Sequence, residues 1–400
     1  MNIVQHLFIV GAGFSASAGL PLTSQFTEKL LDVENLKLDG PSSLQVEFLK
    51  KFVFDAFGVT PETPVAQWPE LEDIFTCIDL SANSGHHLGP NYSPSQLRTV
   101  RRALIVRIIR MLRQSYARRA TDFNEPAGRL QHLLRAVDKQ NAAFLSMNWD
   151  TVIERGLRTA QRIYSYDYGC NALAASFPTR GAKIQRLGAA PEIQVLKPHG
   201  SVNWLYCDSC RQIFWFPPGS DDKIAAQLFH RSDWDVVKKI IGKTYSGQAQ
   251  RRRCPECSAY ALGTRFATFS YRKALDFPMH ESTWRTAEEL LREADNWIFI
   301  GYSLPPADYE FKLLLKRVLL SRKRKPRLTV ITGGDAGAVE RTKLSYVRFF
   351  GEALNAKRNI FASGLDSGAI DGLEKIGAIN RIPRFDKSSS GSKARGQAFR

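Results

Sequence analysis

The sequence predicts an α/β chain built on a doubly wound parallel sheet that carries two insertions, one helical and one marked by cysteine pairs. Three observations carry that expectation. Five short apolar runs (His6–Val10, 143–147, Ile193–Leu196, Asn296–Ile300 and Arg327–Ile331) have no interior Pro or Gly and end directly in glycine or polar residues. Stretches of helical period lie between them, which is the alternation expected of crossover units with strands buried on both faces. Two Cys-x-x-Cys pairs then interrupt that alternation far from either end.

With 400 residues and 44% hydrophobic content, the chain is long enough for one large core or for a core domain with sizeable insertions. No apolar run approaches the length needed to cross a bilayer. The opening apolar stretch lacks a basic segment before it and ends in a glycine turn, so it reads as a core strand and not as an export signal. Six cysteines, four of them in the two pairs, fit a reducing cytoplasm better than a disulfide scaffold. The formal charge of +17 points to an anionic partner; phosphate-bearing ligands, nucleic acid, acidic proteins and plain solubility all stay open.

The first run leads into Gly11-Ala12-Gly13-Phe14-Ser15-Ala16-Ser17-Ala18-Gly19-Leu20-Pro21. Glycines after a strand let the backbone turn sharply and approach a ligand, and amides at the following helix start can face a phosphate. The spacing is not G-x-G-x-x-G, and an ordinary strand-to-helix turn fits this loop alone equally well. Thr23 or Ser24 caps a helix through Phe26, Leu30 and Leu31. Residues 32–120 then read as a helical insertion, with a helix over 70–80 and an exposed loop over 81–94. His86 and His87 are adjacent in that loop, which suits solvent better than a metal site. Over 97–120 apolar residues recur at helical spacing with arginines on the opposite side. This amphipathic helix is expected to pack on the core with a solvated basic face, with a protein partner or nucleic acid as the other readings of that face.

Strand and helix alternation resumes at 142. Asn148-Trp149-Asp150 closes the second run, Lys197-Pro198-His199-Gly200-Ser201 the third, Gly301-Tyr302-Ser303-Leu304 the fourth and Thr332-Gly333-Gly334-Asp335 the fifth. In an open parallel sheet ligands bind beyond the carboxyl ends of the strands, so a Rossmann-like core predicts that these ends converge on one cleft. Residues 1–31, 121–206 and 258–383 are assigned to that core, and 207–257 to a zinc-binding module. Cys207, Cys210, Cys254 and Cys257 supply four thiolates that can close a tetrahedral structural zinc site, and four cysteines leave no open coordination position for catalysis. Cys77 and Cys170 read as small buried residues. Residues 384–400 are rich in Ser, Gly, Lys and Arg, the composition of a basic disordered tail.

Taken together in this order, the glycine loop, Met147-Asn148-Trp149-Asp150, Lys197-Pro198-His199-Gly200-Ser201, the cysteine pairs and Gly301-Tyr302-Ser303-Leu304 resemble the sirtuin-like superfamily of NAD-binding proteins. The resemblance implies that Gly11, Ala12, Gly13, Phe14 and Ser15 line the NAD phosphates and that Asp150 holds the nicotinamide carboxamide. It further implies that Asn148 orients the ribose or an attacking water and that His199 accepts a proton from a ribose hydroxyl or water. Gly301 and Ser303 would face the phosphate side and Gly333, Gly334 or Asp335 the adenosine ribose.

Protein-deacylating sirtuins follow the glycine-proline turn with Asp-Phe-Arg, where this chain has Pro21-Leu22-Thr23. Without an aromatic shield over the reactive sugar, hydrolysis becomes the easier outcome. Asn148-Trp149-Asp150, the stretch His199 to Trp204 and Gly301 to Pro306 look most like the bacterial sirtuin-like effectors of anti-phage defence, which hydrolyse NAD to nicotinamide and ADP-ribose. That resemblance implies control by homo-oligomerisation or by a protein partner, helicase-like or argonaute-like among the options. Lysine deacylation and non-catalytic sensing of NAD or ADP-ribose are the competing readings.

Overall fold

In the computed structural model the described residues are 4–31, 38–116, 122–188, 190–247, 251–264 and 278–385. The expected tail from 386 onward and both ends of the expected insertion at 32–37 and 117–120 lie outside them. In chain order the strands are β1 (His6–Val10), β2 (Ala142–Ser146), β3 (Tyr166–Asp167), β4 (Ala172–Ser176), β5 (Gln185–Arg186) and β6 (Ile193–Leu196). They continue as β7 (Trp204–Cys207), β8 (Ile213–Trp215), β9 (Leu262–Gly263), β10 (Asn296–Ile300), β11 (Arg327–Ile331) and β12 (Ile360–Phe361). The helices are α1 (Ala12–Ala16), α2 (Phe26–Leu31), α3 (Gly40–Phe57), α4 (Leu71–Ser84), α5 (Pro94–Ser115), α6 (Pro126–Ala136) and α7 (Val152–Gln161). After them come α8 (Asp221–Ala225), α9 (Arg231–Ile241), α10 (Pro278–Glu293), α11 (Tyr309–Ser321), α12 (Ala336–Phe350), α13 (Ala356–Asn359) and α14 (Ser367–Lys375).

Seven strands form the main sheet in the order β12-β11-β10-β1-β2-β6-β3, and every pairing in it is parallel. From β1 the chain winds outward through β2 to the edge strand β3, steps back to β6 between them, then returns past β1 to β10 and winds the other way to β12. The reversal puts the topological switch point between β1 and β10, where open α/β sheets leave a crevice beyond the strand ends. Successive strand residues point to opposite faces, so a run buried on both faces must be apolar throughout. Phe8, Val10 and Phe144 join one core with the insertion helices, whereas Leu7, Ile9, Leu145, Trp297 and Phe299 join a second core with α10, α11 and α12. The doubly wound sheet expected from the apolar runs is therefore the one observed.

A second, five-stranded sheet runs β5-β4-β8-β7-β9. It draws strands from 172–186, 204–207 and 262–263, with only β8 from inside the expected 207–257 module, and α8 and α9 of that module pack on α3 and α5.

The basic face of α5 is only partly the solvated one expected. Arg98 and Arg113 are exposed, but Arg101 pairs with Asp79 of α4 at 2.8 Å, and Arg102 with the buried Asp233 of α9 through Nε at 3.0 Å. Arg110 donates to Ser42 of α3 at 2.6 Å, and Arg113 pairs with Asp222 of α8. Arg107 is fully buried, with its guanidinium nitrogens unpartnered and its pKa pushed down to about 10 by burial. The reason is topological: the carboxylates that neutralise this face come from the start of α3, from α4 and from a segment more than a hundred residues later. No helix among the described residues is long and apolar enough to cross a membrane.

Candidate active site at the sheet switch point

Two loops cross at the switch point, and glycines let them. Gly11 and Gly13 follow β1, and Gly301 follows β10 with φ +60°. A Cβ on Gly301 would stand 2.2 Å from the Phe14 nitrogen, and one on Gly13 would stand 2.8 Å from the Gly301 Cα. The Gly13 amide donates to the Gly301 carbonyl at 2.9 Å, and the Phe14 amide to Gly11 at 3.0 Å. Two of the amides expected to face a phosphate are thus engaged within the protein, and close backbone packing accounts for these glycines.

Beside the crossing lies a cavity of about 370 Å³, within the range of small-molecule sites. Gly11, Ala12 and Ser15 line it from the first loop, Asn148 and Asp150 from the end of β2, His199 from the end of β6, and Gly301 and Ser303 from the end of β10. Of the residues singled out from sequence, these eight come together. Gly13 stands behind the wall at the loop crossing, and Phe14 is a core side chain, 1% exposed. Asp335 is exposed at the end of β11, where it caps α12 by accepting the Ala338 amide at 2.8 Å; it is not among the lining residues. That amide also holds its carboxyl below the usual range.

Hydrogen bonds fix the polar groups. The Ser15 hydroxyl donates to Asp150 Oδ2 at 2.7 Å and accepts from Asn148 Nδ2 at 2.9 Å. The same Nδ2 donates to the Gly11 carbonyl at 2.8 Å, and Asp150 Oδ1 accepts the Val152 amide at 2.9 Å. With both amide hydrogens of Asn148 engaged, its carbonyl oxygen is the part left to accept from a ligand hydroxyl or a water. His199 is buried, 5% exposed, and its Nδ1 lies 3.3 Å from the Met147 carbonyl. A carbonyl can only accept, so Nδ1 carries the hydrogen and Nε2 is the nitrogen through which the ring would accept a proton.

Several residues at this site were not singled out from sequence. Glu70 and Glu72, from the start of α4, and Leu112 of α5 line the insertion side of the cavity. Only the packing of the insertion over the sheet brings them there, and helical periodicity carries no signal for it. Tyr302 donates to Asp308 at 2.8 Å, and burial raises its pKa well above that of an ordinary tyrosine. A larger cavity, about 820 Å³, lies between α6 and α7; none of the sequence-predicted site residues lines it.

The four cysteines form a separate cluster whose ligand atoms all lie within 4.8 Å of one another. Cys207 and Cys257 sulfurs are 3.6 Å apart, Cys210 and Cys254 sulfurs 3.7 Å. A tetrahedron with Zn–S bonds of about 2.3 Å has edges of about 3.8 Å, so the cage fits zinc. The two knuckles repeat one turn. Arg211 donates to Cys207 and Ser258 to Cys254, each from a residue with φ near +60°, and each first cysteine's amide donates five residues ahead, to Gln212 and Ala259. Burial pushes the Cys254 thiol up to about 12, while the Ala259 amide draws Cys257 down to about 6. The cluster could hold zinc away from the cavity, consistent with a structural role.

No family model matches the chain, and no curated protein does. Among solved structures the chain is similar to a Sir2 variant with deacetylated p53 peptide and 3'-O-acetyl ADP ribose, at 14% identity and a TM-score of 0.36 over 94% of both chains. It is also similar to Sir2 bound to acetylated peptide, at 14% identity and a TM-score of 0.33 over 94% of both chains. A third is Sir2 with the inhibitor EX-527, 2'-O-acetyl-ADP-ribose and deacetylated p53 peptide, at 13% identity and a TM-score of 0.32 over 94% of both chains. Likeness at this level leaves the chemistry of the present chain to be read from its own site.

Proposed function

We propose that the switch-point cavity binds NAD and that the chain is a sirtuin-like NAD hydrolase, releasing nicotinamide and ADP-ribose. The observation that carries this reading is the Ser15–Asn148–Asp150 hydrogen-bonded trio with His199 in one cavity, assembled from three strand ends at the point where doubly wound sheets bind dinucleotides. Cleaving the nicotinamide bond builds positive charge on the ribose and expels a neutral ring, so positioning and electrostatics matter more than protonation of the leaving group. Asp150, by its remaining lone pairs, accepts from the carboxamide. Asn148 Oδ1 orients water or a ribose hydroxyl, and the basic nitrogen of His199 takes the proton. Leu22, at the position where deacylating sirtuins carry an aromatic, is 40% exposed and is not among the residues lining the cavity, while Phe26 at the start of α2 is.

Incubation with NAD and chromatography of nicotinamide, with and without an acetylated peptide, tests the proposal. Release without peptide is the expected result. Release only with peptide would make the chain a deacylase, and binding without release would make it a sensor. The defence-effector role belongs to the same proposal: expression in a bacterial host is expected to lower cellular NAD and slow growth once the controlling partner or assembly state permits, and an Asn148→Ala chain should do neither.

A further inference from the structure

Beneath the cavity lies an ion pair that the proposed chemistry does not use. Lys197 and Glu154 are both fully buried, with Nζ 2.9 Å from Oε1. The ammonium has three hydrogens and three acceptors: Glu154, the Ser201 hydroxyl at 3.0 Å and the main-chain carbonyl of Asp150. Ser201 passes the link on by donating to the Trp149 carbonyl at 3.1 Å. Glu154 sits in the first turn of α7 and also accepts from the Tyr168 hydroxyl at 3.1 Å. Withdrawing two charges from water costs several kcal/mol per ion before their attraction and hydrogen bonds offset it, so apolar residues of similar volume would hold a core at least as well. What the pair supplies is position: a single nitrogen binds the turn after β2, the turn after β6 and the start of α7.

We propose that Lys197, held by Glu154, is a positioning residue that sets Asn148 and Asp150 in register with His199. The inference rests on the NAD-hydrolase reading of the same cavity. Lys197 lies two residues before His199, and the carbonyl it grips belongs to Asp150, two residues after Asn148. A shift of about 1 Å between the two turns is enough to cost on the order of a hundredfold in rate.

The test replaces both partners, Lys197→Met with Glu154→Gln, which removes both charges together and leaves no buried ion unpaired. The expected result is a folded protein whose nicotinamide-releasing kcat falls at least tenfold while KM for NAD stays within threefold. Amide exchange is expected to rise at least tenfold at 147–151 and 199–203, with the strands β2 and β6 still protected. A folded double variant with the parent kcat, or with native exchange in both turns, would overturn the inference. Should that variant not fold, Ser201→Ala removes one acceptor and the link to Trp149 without burying a charge, and it is expected to lower kcat threefold or more at unchanged KM; an unchanged kcat would overturn the inference equally. A parent protein that releases no nicotinamide defeats the hydrolase reading instead, and the exchange comparison still decides the positioning role.

Discussion

At the scale of single residues the site separates groups that face the cavity from groups that build it. Asn148 does both, because its amide hydrogens hold Gly11 and Ser15 while its carbonyl oxygen is left for a ligand. Asn148→Ala and His199→Ala are each expected to lower nicotinamide release by about two to four powers of ten with zinc content unchanged, measured by chromatography and metal analysis. A variant keeping a third or more of parent turnover would remove that residue from the chemistry. Gly301 belongs to the second group. Its φ of +60° disfavours any side chain, and a Cβ there would collide with backbone at 2.2 and 2.4 Å. Gly301→Ala is therefore expected to destabilise the fold by roughly 2–4 kcal/mol, read as a lowered Tm in thermal unfolding. An unchanged Tm would mean that the two loops do not cross as closely as described.

At the scale of elements, the strands were legible because burial on both faces leaves no choice but an unbroken apolar run, and all five such runs are strands of the main sheet. The cysteine pairs were legible because a tetrahedral cage needs four thiolates in two knuckles, and their sulfurs lie within 4.8 Å. The environment of α5 was not legible. An arginine-rich helix face reads as solvated unless its counter-charges are known, and here they are Asp39, Asp79, Asp222 and Asp233, the last two far along the chain. The ion pair of Lys197 was hidden for the same reason, since Glu154 is an ordinary helix residue until β6 is laid beside β2. One prediction belongs to the knuckles. The chain is expected to bind one zinc through the four cysteines, and Cys207→Ser with Cys254→Ser, or a strong chelator, should lower Tm, because metal bound only by the folded state adds its binding energy to folding. A zinc-free protein with the parent Tm would leave the cluster without a structural role.

For the molecule as a whole, an excess of basic residues meets three imidazoles withdrawn from water, His6 and His132 buried and His230 half-buried. His6, His132 and His230 are all held below their usual pKa, in each case first by burial and next by a neighbouring arginine: Arg327, Arg135 and Arg251 respectively. Each ring therefore stays neutral in the folded chain at a pH where the unfolded chain would protonate it. Above about pH 6.5 neither state binds that proton and the three sites leave stability unchanged. As pH falls below that value the unfolded chain takes up protons that the folded chain refuses, so stability declines, at no more than about 1.4 kcal/mol per pH unit for each histidine. Carboxylates held low, such as Asp39 and Glu288, act in a separate window below about pH 4.5. Urea midpoints are accordingly expected to be flat from about pH 8 to pH 7 and to fall between pH 6.5 and pH 5. His132 decides the assignment: it packs against Phe123 with its ring 3% exposed, and the nearest carboxylate, Glu374, is 3.8 Å away. His132→Gln should flatten the slope in that window by up to a third while lowering stability at pH 8. A His132→Gln chain with the parent slope would show that this imidazole takes up its proton in the folded protein as in the unfolded one, Glu374 offsetting burial, and a steeper slope would show that Glu374 holds it charged.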